Sequence, residues 1–194
     1  MRTFRRICVY CGSSDAVDER FKSAARAVGT LLAQRGIGVV YGGGRIGLMG
    51  IVADAALAAG GDVIGVIPEK LQTLELGHSG LTELHVVDSM HERKMLMAEL
   101  SDGFIALPGG FGTLEEIAEV TTWSQLNYHL KPVGLLNVDG YYDPLIAWVQ
   151  GALDAGFIRP AHQDLLRGAS TPEALLALLA SAEIPRLEDW LAEP

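Results

Sequence analysis

One nonapeptide near the middle of the chain combines glycines, a hydroxyl and two carboxylates: Pro108-Gly109-Gly110-Phe111-Gly112-Thr113-Leu114-Glu115-Glu116. Glycines let a backbone approach a ligand closely. The first N–H groups of a helix carry positive partial charge and bind anions. Because carboxylates repel an anion, the two acids need another role. The combination predicts chemistry on a substrate that is held by its phosphate.

The nonapeptide lies where a buried strand should pass into a helix. An apolar run at residues 103–107 precedes it, and an apolar-periodic segment at residues 114–126 follows. At 100° per residue, Glu115 and Glu119 point away from the predicted core stripe of this helix, whereas Glu116 lies at its flank. Glu116 is therefore the better candidate for a carboxylate aimed at a substrate. The predicted stripe consists of Leu114, Ile117, Ala118 and Thr121.

Two cations, Arg93 and Lys94, fall in the first turns of another predicted helix. Ser89 and Glu92 form a capping-box pattern that starts this helix at Met90. Cations in that position oppose the helix dipole and cost up to about 1 kcal/mol. Either Glu92 and solvent offset this cost, or a bound anion does. The position at the carboxyl edge of the sheet favours the anion.

Another glycine loop, which comes earlier in the chain, contains the pattern G-x-G-x-x-G: Gly42-Gly43-Gly44-Arg45-Ile46-Gly47. A dinucleotide fold places this pattern after the first strand, with an acid at the end of the next strand. Here it follows the second strand, and Asp62 precedes its strand, which disfavours NAD or FAD. The loop is either a tight turn that packs a helix on a strand or a contribution of Gly43 and Gly44 to a mononucleotide pocket. Three consecutive glycines favour the pocket.

Strands and helices alternate along the chain. Nearly apolar strands in this order predict a parallel sheet covered by helices on both faces. Ligands bind beyond the carboxyl ends of such strands, where both glycine loops and Ser14 fall. The predicted strands are residues 6–10, 38–41, 63–67, 83–87, 103–107 and 132–136. The predicted helices are residues 18–34, 48–59, 90–100 and 114–126, one that Asp143-Pro144 caps and opens, and one from Thr171-Pro172 to about residue 180. Residues 68–80 are a polar connection and residues 181–194 an irregular or loose tail.

Composition limits the possible functions. The chain has 194 residues, which predicts one α/β domain over residues 1–194, and 49% of them are apolar. A net charge of -9 disfavours nucleic-acid binding, which needs a basic surface. Because no stretch approaches about 20 apolar residues, we expect a soluble, cytoplasmic protein that does not associate with a membrane. Cys8 and Cys11 lie within and at the end of a strand, which predicts structural thiols rather than a redox or metal site.

Three segments together resemble the LONELY GUY family, the cytokinin riboside 5'-monophosphate phosphoribohydrolases. They are residues 42–50 (G-G-G-x-x-G-L-M-G), 90–94 (M-H-E-R-K) and 108–116 (P-G-G-x-G-T-x-x-E). The resemblance runs from Cys8 to about Tyr142, with the segments in the same order. It implies a doubly wound, Rossmann-like and mostly parallel sheet. Members of the family have often been labelled lysine decarboxylases in error.

The resemblance also implies an activity. The family hydrolyses the N-glycosidic bond of adenosine-type 5'-monophosphates to a free base and ribose 5-phosphate, without a cofactor or metal, usually as a homodimer with sites near the interface. Its catalytic residues correspond to Arg93 and Glu116. Residues 71–80 are longer than in the plant members, so their base pocket is not carried over. The residues predicted to bind substrate or phosphate are Ser14, Gly43, Gly44, Lys94, Gly109, Gly110, Phe111, Gly112, Thr113, Leu114, Glu115 and Thr122.

Breaking a ribose–base bond develops oxocarbenium character at the sugar carbon. Glu116 would stabilise that charge and activate water, and Arg93 would orient Glu116 and hold the ribose or phosphate. No acid for the leaving base is evident. Two alternative functions remain. The first is a decarboxylase, although none of the four lysines has a recognisable cofactor context. The second is a non-catalytic carrier of a nucleotide or nucleotide cofactor, since a fold alone does not settle function.

Overall fold

Seven parallel strands form one sheet within residues 1–72 and 77–186, the part of the chain that this computed structural model describes. In chain order they are β1 (Arg6–Tyr10), β2 (Gly38–Tyr41), β3 (Val63–Pro68), β4 (Glu83–Val87), β5 (Gly103–Ala106), β6 (Val133–Leu136) and β7 (Leu166–Ala169). Across the sheet the order is β4-β3-β2-β1-β5-β6-β7. The chain therefore changes direction at β1, and a ligand is expected between the carboxyl ends of β1 and β5.

Helices cover both faces of the sheet. They are α1 (Glu19–Gln34), α2 (Gly47–Ala58), the short α3 (Glu69–Leu71), α4 (Met90–Glu99), α5 (Phe111–Gln125), α6 (Asp143–Asp154) and α7 (Pro172–Ala180). One core lies under α1, α2 and α7, and a second lies under α4 and α5. Because side chains alternate along a strand, Ile7 and Val9 enter the first core while Cys8 and Tyr10 enter the second. The predicted doubly wound, Rossmann-like α/β fold is confirmed.

Three local predictions were wrong. Strand β7 was missed because it is a partly buried edge strand whose sequence, Leu-Arg-Gly-Ala, shows no apolar run. Helix α5 begins at Phe111 rather than Leu114, since the extended Gly110 is already its N-cap. The N-cap of α6 is Tyr142 and not Asp143, whose carboxylate instead accepts a hydrogen bond from Asn137 at 2.7 Å.

Both cysteines are buried free thiols, as predicted, and burial raises their pKa values. Across residues 1–72 and 77–186, no helix has the length and apolar character to span a membrane. Residues 73–76 of the predicted connection and residues 187–194 of the predicted tail lie outside the described residues. A single domain and a cytoplasmic location stay predictions.

Candidate active site

A buried ion pair joins α4 to α5 at the carboxyl edge of the sheet. Arg93 Nη1 donates to Glu116 Oε1 at 2.8 Å, and each residue is only 8% exposed. Burial raises the pKa of the Glu116 carboxyl above its ordinary value, while the charge and hydrogen bond of Arg93 oppose that rise. Glu116 was predicted at the flank of α5, but it lies on the buried face. The chain thus holds a carboxylate in a site of reduced polarity, oriented by one cation.

Arg93 is itself fixed from two strands. Its Nε donates to the carbonyl of Val66 at 3.2 Å, in the second half of β3. Its Nη2 lies over Gly42 at the end of β2, where a Cβ would collide with the guanidinium. The missing side chain of Gly42 therefore makes room for the arginine that orients Glu116.

The neighbouring cation, Lys94, is also paired. Its Nζ donates to Glu115 at 2.5 Å and to Glu119 at 3.1 Å. Burial lowers the pKa of Lys94, but the hydrogen bonds that its ammonium donates to the two carboxylates outweigh this effect and the pKa is raised. Carboxylates of α5 therefore offset the cost of the two cations in α4, a contribution that the sequence did not indicate. That Lys94 binds substrate stays a prediction.

Within the described residues the N-terminus of α5 has no side-chain cap, unlike those of three other helices. Asp18, Ser89 and Thr171 each cap a helix by accepting a hydrogen bond from a backbone N–H of its first turn. The N-cap of α5 is Gly110, which has no side chain that could do so. Because the first four N–H groups of a helix lack partners within it, the start of α5 can receive an anion.

Two glycines of this loop have no packing reason to be glycine. A Cβ on Gly110 or Gly112 would meet no atom of residues 1–72 or 77–186 within 4 Å. Gly112 lies in the first turn of α5, where glycine costs about 0.5–1 kcal/mol relative to alanine. Gly109 differs, since a Cβ there would collide with the hydroxyl of Thr113. The free space at Gly110 and Gly112 suits a ligand that approaches the backbone.

A cavity of about 340 Å³ lies beside this loop, between the ends of β1 and β5. This is where the topology of the sheet predicts a ligand. The structure brings three predicted binding residues to the cavity wall, namely Ser14, Gly109 and Gly110. It is also lined by Gly12, Ser13, Val17, Phe21, Leu48, Pro108 and Tyr141. The sequence did not identify Phe21 and Tyr141 as residues that line this cavity. Tyr141 could have been identified, because it follows a predicted strand at the same edge of the sheet.

Four of the predicted binding residues lie elsewhere, namely Gly43, Gly44, Leu114 and Thr122. Gly43 and Gly44 are covered by the segment after residue 76: the carbonyl of Gly43 accepts from His78 N at 2.9 Å, and Gly44 bridges to Gly77. Thr122 is exposed, and its hydroxyl donates to the carbonyl of Ala118 at 2.8 Å. Thr122 follows Glu116 by six residues on α5, a spacing that points the two side chains away from each other.

Thr122 belongs to an open apolar groove between α5 and α6, with a volume of about 530 Å³. Leu114, Ala118 and Thr121 also line it, together with Trp148 of α6. All four residues predicted as the core stripe of α5 therefore line this groove, and Leu114 is 44% exposed. The buried face of α5 instead carries Thr113, Glu116, Ile117, Val120 and Ser124.

Plant proteins match almost the whole chain. The cytokinin riboside 5'-monophosphate phosphoribohydrolase LOG3 of Arabidopsis thaliana is 50% identical over 176 residues, which cover 91% of this chain and 82% of the relative. The chain belongs to this phosphoribohydrolase family. The phosphoribohydrolase LOG of Oryza sativa subsp. japonica is likewise 50% identical over 176 residues and covers 91% and 73% of the two chains.

Two further comparisons place the phosphoribohydrolase family among its neighbours. Residues 49–179 match the family model described as "Possible lysine decarboxylase". Among solved structures, a molybdenum cofactor binding protein from Rippkaea orientalis has a TM-score of 0.69 and 25% identity, covering 93% of this chain and 98% of its own. The same fold thus occurs in proteins named for hydrolysis and in one named for binding.

Proposed function

We propose that this protein hydrolyses the N-glycosidic bond of AMP and of N6-modified adenosine 5'-monophosphates, releasing the free base and ribose 5-phosphate. The single observation that carries this is the buried Arg93–Glu116 pair one helical turn behind the open N-terminus of α5. Its family relatives, named as cytokinin riboside 5'-monophosphate phosphoribohydrolases, support the substrate class.

The 5'-phosphate is held at the start of α5. The backbone N–H groups of Gly110, Gly112 and Thr113 are among the free donors of a helix N-terminus, where the dipole favours negative charge. The nearby cations do not replace these donors, because Arg93 and Lys94 already bind carboxylates. The backbone is therefore the main phosphate ligand, and the missing side chains at Gly110 and Gly112 admit the phosphate.

Glu116 acts on the sugar. It follows Thr113 by three residues, about 4.5 Å along the helix axis, so a bound ribose phosphate can place its anomeric carbon near the carboxylate. The carboxylate stabilises the oxocarbenium-like transition state and accepts a proton from the attacking water. Arg93 favours the ionised form of Glu116 and orients it through its hydrogen bond at 2.8 Å. Electrostatic stabilisation of this kind is strongest where water is excluded.

Incubation with AMP and with N6-prenylated AMP, followed by detection of free base, tests the reaction. Glu116→Gln should lower kcat by about 10²–10³-fold, as expected for loss of a preorganised electrostatic group, while nucleotide binding persists. Glu99→Gln, the same change on the exposed surface of α4, serves as the control. Full turnover by Glu116→Gln would remove Glu116 from the mechanism.

A second candidate is a non-catalytic carrier of a nucleotide or nucleotide cofactor. The observation in its favour is the 25% identity to the Rippkaea orientalis molybdenum cofactor binding protein. A carrier would bind the nucleotides in the same assay and release no base. The buried Arg93–Glu116 pair favours the enzyme, since binding alone gains nothing from a carboxylate beside a phosphate. A lysine decarboxylase is disfavoured because the ammonium of Lys94 is bonded to two carboxylates.

The chain is further proposed to be a homodimer joined through the α5–α6 groove. Phe111 and Trp148 are 93% and 67% exposed, and Leu114 connects them to the groove beside the phosphate loop. Monomers rarely leave so continuous an apolar surface open, and the family resemblance implies a second copy as its cover. Light scattering should show a dimer that Trp148→Asp converts to a monomer. Tyr128→Asp, at an exposed aromatic outside the groove, should leave the mass unchanged; a monomeric wild-type protein would refute the dimer.

A further inference from the structure

Three consecutive carbonyls that lead from β5 into the phosphate loop (residues 109–112), those of residues 107–109, are each held by a donor from another part of the chain. The hydroxyl of Tyr142 donates to the carbonyl of Leu107 at 2.6 Å. The N–H of Gly12 donates to Pro108 at 3.1 Å, and the hydroxyl of Tyr141 donates to Gly109 at 2.6 Å. The loop is thus fixed from β1 on one side and from the segment after β6 on the other.

These bonds set the direction of two backbone N–H groups of the loop. In a trans peptide the carbonyl of one residue and the N–H of the next point in opposite directions. When Tyr141 holds the Gly109 carbonyl, it also turns the Gly110 N–H to the opposite side. When Gly12 holds the Pro108 carbonyl, it does the same for the Gly109 N–H. Glycine peptides have more freedom than others, so without these bonds the donors would sample several directions.

The two tyrosines are themselves fixed. The ring of Tyr141 packs edge-on against Phe21 at 5.5 Å and against Tyr142 at 5.1 Å, measured between ring centroids. Tyr142 is buried, and its backbone N–H donates to the side-chain carbonyl of Asn137 at 2.8 Å. The Tyr141 hydroxyl therefore reaches the loop from a supported ring, while part of that ring also lines the cavity.

We propose that Tyr141 is a positioning residue whose hydroxyl aims the Gly110 N–H at the substrate phosphate, with Tyr142 fixing the carbonyl of Leu107 two residues earlier. This inference rests on the proposed function, because it assigns a role within the same phosphate site. It accounts for a tyrosine whose hydroxyl is bonded to a backbone carbonyl although the residue is 42% exposed and lines the cavity. The predicted consequence is confined to phosphate affinity.

Tyr141→Phe tests this, since it keeps the ring against Phe21 and removes only the hydroxyl. The KM for AMP and the Kd for ribose 5-phosphate should rise about three- to tenfold, the size of one lost hydrogen bond, with kcat within about twofold of wild type. The thermal unfolding midpoint should change little. Tyr128→Phe, the same change at an exposed ring, should alter none of these values.

An unchanged Kd for ribose 5-phosphate in Tyr141→Phe would overturn the inference, and so would a fall in kcat without a rise in KM. A wild-type protein that does not bind ribose 5-phosphate would overturn it too. A wild-type protein that binds ribose 5-phosphate but releases no base from any nucleotide refutes the proposed function alone. In that case the Kd of Tyr141→Phe still decides on the tyrosine.

Discussion

The two glycine loops at the carboxyl edge of the sheet look alike in sequence, but they differ in whether other parts of the protein fill the space beside their glycines. The loop after β2, residues 42–47, serves the protein itself. The loop after β5, residues 109–112, leaves both space and N–H groups open at the start of α5. Glycine content alone therefore does not identify a ligand loop. The deciding question is whether the protein already occupies the room and the donors that the glycines provide.

In the first loop, residues 42–47, other parts of the protein occupy the space beside the glycines and accept hydrogen bonds from the backbone N–H groups. Gly42 makes room for Arg93, and a Cβ on Gly47 would collide with the backbone of Ser13. The N–H of Gly47 donates to Asp15 at 2.8 Å, and the next N–H, of Leu48, donates to the carbonyl of Gly12 at 3.0 Å. The N-terminus of α2 is thus capped from the β1 loop, which leaves the N-terminus of α5 to receive a phosphate.

The largest effect should come from filling the closed loop. Gly47→Ala places a Cβ against the Ser13 backbone at a φ of +62°, so strain and overpacking together should lower the free energy of unfolding by about 2–6 kcal/mol. Urea denaturation measures it. The matched control is Gly60→Ala, because Gly60 has a similar φ of +79° but a Cβ there would meet nothing in the described part of the chain within 4 Å. Equal losses in both variants would show that packing does not close the first loop.

Filling the open loop should have the opposite signature. Gly112→Ala should leave stability unchanged or raise it by up to about 1 kcal/mol, because alanine favours a helix. The Kd for ribose 5-phosphate should rise about tenfold or more, since the methyl group occupies the space of the ligand. Gly151→Ala, in α6, has similar open surroundings among the described residues and should leave the Kd as it is. An unchanged Kd in Gly112→Ala would mean that the open space in the second loop, residues 109–112, does not hold the phosphate.

The smallest effect concerns the charge behind the open loop. Glu116 must be ionised to stabilise a positive sugar carbon, and burial raises its pKa. As the pH falls, kcat should therefore decline through a pKa above the ordinary glutamate value of about 4.3, by about tenfold for each pH unit below that pKa. Circular dichroism at each pH shows whether the fold persists. A kcat that stays constant as the pH falls below the ordinary glutamate pKa would contradict a mechanism that requires an ionised Glu116 with a raised pKa.

Much of the fold followed from local pattern. Strands β1, β2 and β4 were predicted with the residues they have, because each is bounded by turn residues or polar segments. Strand β7 could not be predicted in the same way, since its four residues become a strand only through pairing with β6. Periodicity in α5 identified an apolar stripe but not what covers it, and Leu114 lies at the surface.

The site was predictable to a similar degree. The motifs pointed to Arg93 and Glu116, and the structure places the two side chains in contact. The bonds of Lys94 to Glu115 and Glu119 depend on how α4 packs beside α5, which spacing within one helix does not reveal. The tyrosine contacts depend on β6 lying next to β5, a neighbourhood that only the sheet order provides. Long-range packing, rather than local pattern, determined what was missed.

Backbone amide NMR during titration with ribose 5-phosphate tests the difference between the loops most directly. If the start of α5 holds the phosphate, the amide signals of Gly110, Gly112 and Thr113 should shift on binding, while those of Gly43 and Gly44 stay in place. Shifts at Gly43 and Gly44, with the α5 amides unchanged, would contradict the assignment and move the phosphate to the first loop.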